Sequence, residues 1–345
     1  MELNKLTRNN IQQMKPYSSA RDEYKDLKKN MVFLDANENP FDSSLNRYPD
    51  PQQTDLKSLI SQQKKVPTNQ ILLGNGSDEV LDLIFRAFCE PNTDSILTLP
   101  PTYGMYDVLA NLNAIENIQV PLSSDFQIEV HLVLENIKPN TKLLFVCSPN
   151  NPSGNTVDRS AIERLLKAFN GLIVIDEAYI DFTEEISWTQ FLNAYPNLIV
   201  VQTLSKAYGL AGIRLGICYA SKEIIAVLNK IKPPYNVNTL TQEAALKALH
   251  NKDVVSDQIA SILNERIRLN KVLAAYAFIK KIYPSDANFI LIKVDDANKR
   301  YDELIKNGIV VRNRSSQLHC DNCLRITVGT PSENTQLLTL LKTYK

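Results

Sequence analysis

Three observations in the sequence predict an α/β protein: a mostly parallel sheet between helices in a large domain, plus a smaller C-terminal α/β domain. Apolar runs of strand length alternate with stretches of helical periodicity through the first two thirds of the chain. Three successive runs, Lys142 to Cys147, Leu172 to Ile175 and Asn197 to Gln202, each end in polar residues suited to chemistry. Beyond about residue 222 the character shifts, and a long helical region from Thr241 through Ala274 leads to shorter strands and helices. Such alternation gives parallel strands with helices on both faces, and these sheets bind ligands beyond the C-terminal ends of their strands.

Composition narrows the partners. The 345 residues carry 38 basic and 38 acidic side chains, so neither nucleic acid nor an anionic membrane is expected as the main partner. No apolar run approaches the ~18 residues of a membrane span, and the first residues lack the apolar core of a signal peptide. Five cysteines, an odd number, fit a cytoplasmic protein with reduced thiols. Cys320 and Cys323 have metal or redox spacing, but no second ligand pair accompanies them, and no metal site is expected.

In chain order, residues 1–30 read as a polar N-terminal arm with Tyr17 beside Pro16, leading into a short helix. Val32-Phe33-Leu34 is expected as a short strand running into the turn-forming cluster Asp35-Ala36-Asn37-Glu38-Asn39-Pro40. Tyr48, before Pro49, is held extended and so displayed. Ile71-Leu72-Leu73 is a strand that enters Gly74-Asn75-Gly76; Ser77 can cap the following helix, whose apolar stripe is Val80, Ile84 and Phe88. Strand, glycine turn and helix N-terminus together make an anion site at Ser77 and Asp78. After the strand Ile96 to Leu99, two prolines stiffen the loop that presents Tyr103 as a flat stacking face. Asn151, Asp176 and Tyr179 fall at or just after the ends of the next two strands, and Asp158 caps the helix between them. In the last third, Ile309 to Arg312 and Cys323 to Gly329 are expected as strands with Arg312 and Arg325 on them, and Arg314 is read as solvated. The expected large domain spans 31–235 and the small one 236–345.

The stretch that organises the rest is Thr203-Leu204-Ser205-Lys206-Ala207-Tyr208-Gly209-Leu210-Ala211-Gly212-Ile213-Arg214. A lysine amine, two hydroxyls (Thr203 and Ser205) and a guanidinium at a strand end suit a phosphorylated carbonyl compound. The amine can bond the carbonyl and the arginine can clamp the phosphate. Here the sequence resembles the fold-type-I pyridoxal-phosphate aminotransferases, whose Ser-Lys element after a strand carries the cofactor. That resemblance implies a seven-stranded-type sheet. It makes Lys206 the catalytic lysine and Asp176 the partner of the pyridine nitrogen. Tyr179 and Asn151 would face the phenolic oxygen and Tyr103 the ring. Ser205, Thr203, Arg214 and the N–H groups at Ser77 and Asp78 would lie around the phosphate.

Pro16-Tyr17, Ala36-Asn37-Glu38-Asn39-Pro40, Arg47-Tyr48-Pro49, Pro101-Thr102-Tyr103-Gly104-Met105-Tyr106 and Leu324-Arg325-Ile326-Thr327-Val328-Gly329-Thr330 narrow the resemblance further. The set is similar to the histidinol-phosphate aminotransferase family, nearly end to end. By that resemblance the reaction moves an amino group between L-histidinol phosphate and 2-oxoglutarate, giving imidazole acetol phosphate and L-glutamate. Tyr48 would reach the cofactor phosphate of a partner subunit in a homodimer with shared active sites, and the arm would pack with the small domain. Tyr17, Asn37, Arg312 and Arg325 would bind substrate. An aromatic amino-acid aminotransferase or a threonine-phosphate decarboxylase of the same fold is the alternative. A cofactor-binding regulatory module is a further one, although no DNA-binding extension or basic stretch is visible.

Overall fold

The alternation of strands and helices takes three-dimensional form in a computed structural model that describes residues 2–17 and 32–344. Two short helices, α1 (Leu3–Leu6) and α2 (Asn9–Gln13), precede α3 (Thr54–Lys64). Then come β1 (Ile71–Asn75), α4 (Ser77–Phe88), β2 (Ser95–Thr98), α5 (Met105–Leu112) and β3 (Glu116–Gln119). The middle contributes α6 (Val130–Asn136), β4 (Thr141–Cys147), α7 (Arg159–Ala168), β5 (Leu172–Asp176) and β6 (Leu198–Thr203). β7 (Leu215–Ala220) is followed by α8 (Lys222–Ile231), α9 (Thr239–His250) and α10 (Lys252–Leu273). The remainder holds β8 (Ile279–Ile282), β9 (Phe289–Val294), α11 (Ala297–Lys306), β10 (Arg312–Asn313), β11 (Cys323–Thr327) and α12 (Pro331–Leu341).

Seven strands form the large sheet in the order β1-β7-β6-β5-β4-β2-β3, parallel except where β7 runs against both β1 and β6. Two reversals cancel, so β1 points the same way as β6. The C-terminal ends of β1, β2, β4, β5 and β6 therefore share one edge. Alternation along each central strand feeds two core layers: Leu144 and Val146 of β4 enter one, Leu143 and Phe145 the other. Phe145 is stacked between Phe85 and Tyr106, at centroid distances of 5.2 and 4.9 Å. The small sheet, β10-β11-β9-β8, is antiparallel throughout and buries its own core against α10, α11 and α12.

Five expectations change. Val32 and Leu34 are exposed, and 32–34 forms no strand, because no neighbouring strand offers the hydrogen bonds that an isolated one lacks. The run Ile309 to Arg312 joins the sheet only from Arg312, leaving Val310 exposed. The helical region 241–274 is two helices. Asn251 breaks it at φ −98°, its side chain bonding the Lys247 carbonyl at 2.9 Å in competition with the helix. Ala245 and Leu249 of α9 belong to the large domain's core, so that core extends past the expected boundary at 235. The arm was expected on the small domain, but Leu3 and Leu6 cover the large domain's core and Arg8 pairs with Glu90, because the two leucines need an apolar face. The rest of the arm, with the short helix expected there, lies outside the described residues.

Asp158 does cap α7, accepting the Ser160 N–H at 2.9 Å. α4 instead begins with Gly76 at the capping position and Ser77 already inside the helix. That turn rides directly on β7: a Cβ on Gly216 would stand 2.3 Å from the Ser77 nitrogen and 2.4 Å from the Gly76 carbonyl carbon. Gly216→Ala should therefore push the turn off the sheet and lower stability by about 1–3 kcal/mol in urea unfolding. An unchanged midpoint would show that the turn can yield at no cost.

Candidate active site

At the end of β5 the carboxylate of Asp176 is only 3% exposed. It accepts hydrogen bonds from the Tyr106 hydroxyl at 2.9 Å and from the Ala178 N–H at 3.0 Å. Burial raises its pKa above the ordinary carboxylate value, and the two hydrogen bonds pull it back down. Tyr106 was not among the expected site residues. The signal for it is its place three residues after Tyr103, where the chain turns from the proline loop into α5. The two rings meet edge to face at 5.6 Å.

Lys206 follows β6 through a turn closed by Thr203. The Thr203 hydroxyl accepts the Ser205 N–H at 3.1 Å and lies 3.0 Å from the Ser205 hydroxyl and 3.1 Å from the Leu215 carbonyl. Thr203 is buried and so shapes the turn rather than offering a free hydroxyl. The Lys206 ammonium stands 5.8 Å from the centre of the Tyr179 ring. Burial lowers its pKa most, then the Arg325 charge. Asp176 and Asp78 oppose this, and Arg214 adds to it. A cavity of about 730 Å³ opens beside Lys206, between α10 and the start of α12.

The turn from β1 into α4 completes the large-domain wall. Arg214, itself at φ 57°, lays its guanidinium across Gly76, where a Cβ would come within 2.5 Å of Nη2. Asp78 accepts from Arg214 Nη2 at 3.2 Å and from the Tyr103 hydroxyl at 3.1 Å. Tyr103 is thus anchored by its hydroxyl as well as by its ring. The loops that carry Tyr103 and Asn151 are tied together by Asn150, 1% exposed, which donates to the Pro101 carbonyl at 2.9 Å and accepts from Thr102 at 3.1 Å.

The small domain closes the other side. Arg325 donates to the Asn151 side-chain oxygen and stacks over Phe289 at 5.1 Å, and Phe289 meets Tyr179 edge to face. Burial and the neighbouring charge of Arg314 lower the Arg325 pKa to about 10. Arg314 is half-buried, not solvated: its Nε is enclosed without a hydrogen-bond partner, and its own pKa is lowered by burial and by Arg312. Cys320, in the loop behind it, and Cys323, at the start of β11, are buried free thiols.

Three expected residues stand apart. Tyr17 is exposed at the end of the described arm, and Asn37 is exposed in the left-handed conformation at φ 55°. Tyr48 stacks on Tyr235 at 4.4 Å, while its N–H donates to Glu38. Among the described residues, no hydrogen bond, ion pair or ring contact links these three to Lys206 or Arg325.

A family model for "Aminotransferase class I and II" matches residues 20–341. The chain is 62% identical, over 99% of its own length and 98% of the relative's, to a histidinol-phosphate aminotransferase of Flavobacterium psychrophilum. Its fold superposes on the histidinol-phosphate aminotransferase of Clostridium acetobutylicum with a TM-score of 0.80 and 27% identity, covering 87% of this chain and 90% of the other. The enzyme of that name from Sinorhizobium meliloti, solved with pyridoxal 5'-phosphate, matches at a TM-score of 0.78 and 23% identity, over 87% and 84% of the two chains.

The charges around Lys206 generate a test. In competitive labelling of the cofactor-free protein, Lys206 should titrate below the ordinary lysine value of 10.5. Arg325→Gln should move that titration upward by removing the like charge. Titration at the ordinary value in the unmodified protein would contradict the arrangement.

Proposed function

We infer the reaction from one premise: this chain belongs to the class I and II aminotransferases and, among them, to the histidinol-phosphate aminotransferases. It is a pyridoxal-phosphate enzyme that transaminates histidinol phosphate in histidine biosynthesis. The observation that supports this substrate most directly is the arginine-bearing face of β10 and β11, turned toward the large domain near Lys206 with no carboxylate paired to it among the described residues.

The residues suit the cofactor. Arg214 lies across a glycine where any side chain would collide, and α4 starts without a side-chain cap. Arg214, Ser205 and the N–H groups of Ser77 and Asp78 would hold the phosphate. Thr203 would keep Ser205 in place. Asp176, buried and oriented by Tyr106, would hold the pyridine nitrogen in its protonated form through a charge-assisted bond of about 1.5–3 kcal/mol. Tyr179 and Asn151 would flank the phenolic oxygen and Tyr103 the ring face. Bound pyridoxal phosphate supplies the electron sink for charge developing at the donor's α-carbon. Lys206 would carry the cofactor covalently. The Lys206 amine would also take the donor's α-proton, and its lowered pKa increases the neutral fraction able to do so.

2-Oxoglutarate would be the amino acceptor, its α-carboxylate held by Arg325. Arg325 and Arg312 would take the phosphate of the other substrate, with Tyr17 and Asn37 completing the pocket. We propose a homodimer. Val32, Leu34, Phe41, Leu45 and Tyr48 expose large apolar groups on one segment. A second copy covering it would carry Tyr48 to the partner's cofactor phosphate. Five free cysteines support a reducing, cytoplasmic setting. No helix among the described residues is long and apolar enough to cross a membrane.

A panel of amino donors with 2-oxoglutarate tests the substrate. Histidinol phosphate should exceed unphosphorylated histidinol by roughly 30- to 1000-fold in kcat/KM, the effect of about 2–4 kcal/mol of lost charge pairing. Equal rates would favour an aromatic amino-acid aminotransferase, and CO2 release from threonine phosphate a decarboxylase. The shared site is tested by mixing Tyr48→Phe with Lys206→Ala under subunit exchange. Activity should rise above both parents, because one site in each mixed dimer then has both native residues. No rise despite confirmed exchange would remove Tyr48 from the partner's site.

A further inference from the structure

The pairing of β10 with β11 sets Arg312 directly opposite Arg325, and the Arg314 N–H donates to the Cys323 carbonyl at 2.8 Å, continuing the ladder by one step. Side chains two apart on a strand share a face, as do residues directly opposite across an antiparallel pair. Arg312, Arg314, Cys323 and Arg325 therefore occupy one face. The intervening Leu324 lies on the other and enters the small domain's core. Contacts show where the shared face is turned: Cys323 and Leu291, which pairs with Arg325, join the large domain's core, and Arg325 itself reaches Asn151. Like charges so placed repel. Among the described residues no carboxylate lies within ion-pair distance of any of the three. The Arg314 Nε is enclosed without a partner. A face of this kind is complete only with an anion bearing several acceptor oxygens.

We propose that Arg314 is a specificity-determining residue for this reaction, a third guanidinium that binds the substrate's phosphomonoester and makes little contribution to a substrate with carboxylates alone. This rests on the function inferred above and assigns a role to a side chain beyond the pair Arg312 and Arg325. Its position is set by the loop behind it. The Gln317 N–H bonds the Arg314 carbonyl at 2.9 Å, the Cys320 N–H bonds the Gln317 carbonyl at 3.0 Å, and the Cys323 N–H bonds the Cys320 carbonyl at 2.9 Å. These successive turns, with both thiols packed inside, hold the backbone of Arg314 against β11. A single carboxylate presents two oxygens and one charge, whereas a phosphomonoester dianion gathers three oxygens and about two charges at one point, enough acceptors for a third guanidinium.

The test uses the cofactor-loaded enzyme. Arg314→Gln should raise KM for histidinol phosphate on the order of 10- to 100-fold while kcat and the KM for glutamate stay near wild type. Propyl phosphate, which carries no amine, should inhibit competitively against histidinol phosphate, and its inhibition constant should rise by the same factor. Arg314→Lys should recover part of both losses by restoring the charge without the fork. Equal losses with both substrates, or a shifted pH profile with KM unchanged, would mean that Arg314 acts on Tyr179 or on folding, and would overturn the proposal. Full retention of phosphate preference in Arg314→Gln would overturn it while leaving the inferred function standing. A wild-type enzyme indifferent to the phosphate would overturn both.

Discussion

A carboxylate can be buried only if the structure around it supplies hydrogen bonds or a positive partner, and the large domain is arranged about one such group. Asp176 ends the central strand β5 with the Tyr106 hydroxyl on one oxygen and the Ala178 N–H on the other. Tyr106 can reach it because its ring is clamped on Phe145, and Phe145 on Phe85. The core layer on that side of the sheet thus aims the polar group at its edge. Loss of the packing would leave the carboxylate both mobile and hydrated. Its raised pKa is the trace of incomplete compensation, which a protonated ring nitrogen would supply.

Across the cleft the imbalance has the opposite sign. Three arginines lie on one face of the small sheet, two of them with lowered pKa values, and the largest charge acting on Arg325 is Arg314. Arg325, one of the three, also lowers the pKa of Lys206, second to burial. Arg325 would thereby serve two purposes: it would attract an anionic substrate, and it favours the neutral form of the lysine that a base requires. An anion bound to Arg325 would partly cancel that charge, so substrate charge and Lys206 basicity would be coupled through this one guanidinium group.

Much of the site was readable in the chain. Lys206, Asp176, Asn151 and Tyr179 follow strand runs whose parallel pairing depends only on alternation with helices, so their arrival at one edge needs no tertiary detail. The Asp158 cap and the glycine turn from β1 into α4 are equally local, since both rest on backbone chemistry within a few residues. Local reasoning failed where one residue type has two uses. Asn251 sits within a stretch of helical composition and yet ends a helix. Val32 to Leu34 has strand composition but no partner strand.

What the sequence by itself determined is the order of elements and the kinds of group at their ends, because periodicity and turn chemistry act over short distances. Only the tertiary structure decided which of those groups meet. The Tyr106 contact with Asp176 spans 70 residues and that of Arg325 with Asn151 spans 174. Arg314 belongs with the second set. In sequence it is one more charge in a polar loop, and only the pairing register of β10 with β11 turns it inward beside Arg325. Register depends on which side chains the other domain can bury, a property of two surfaces that no single stretch of chain contains.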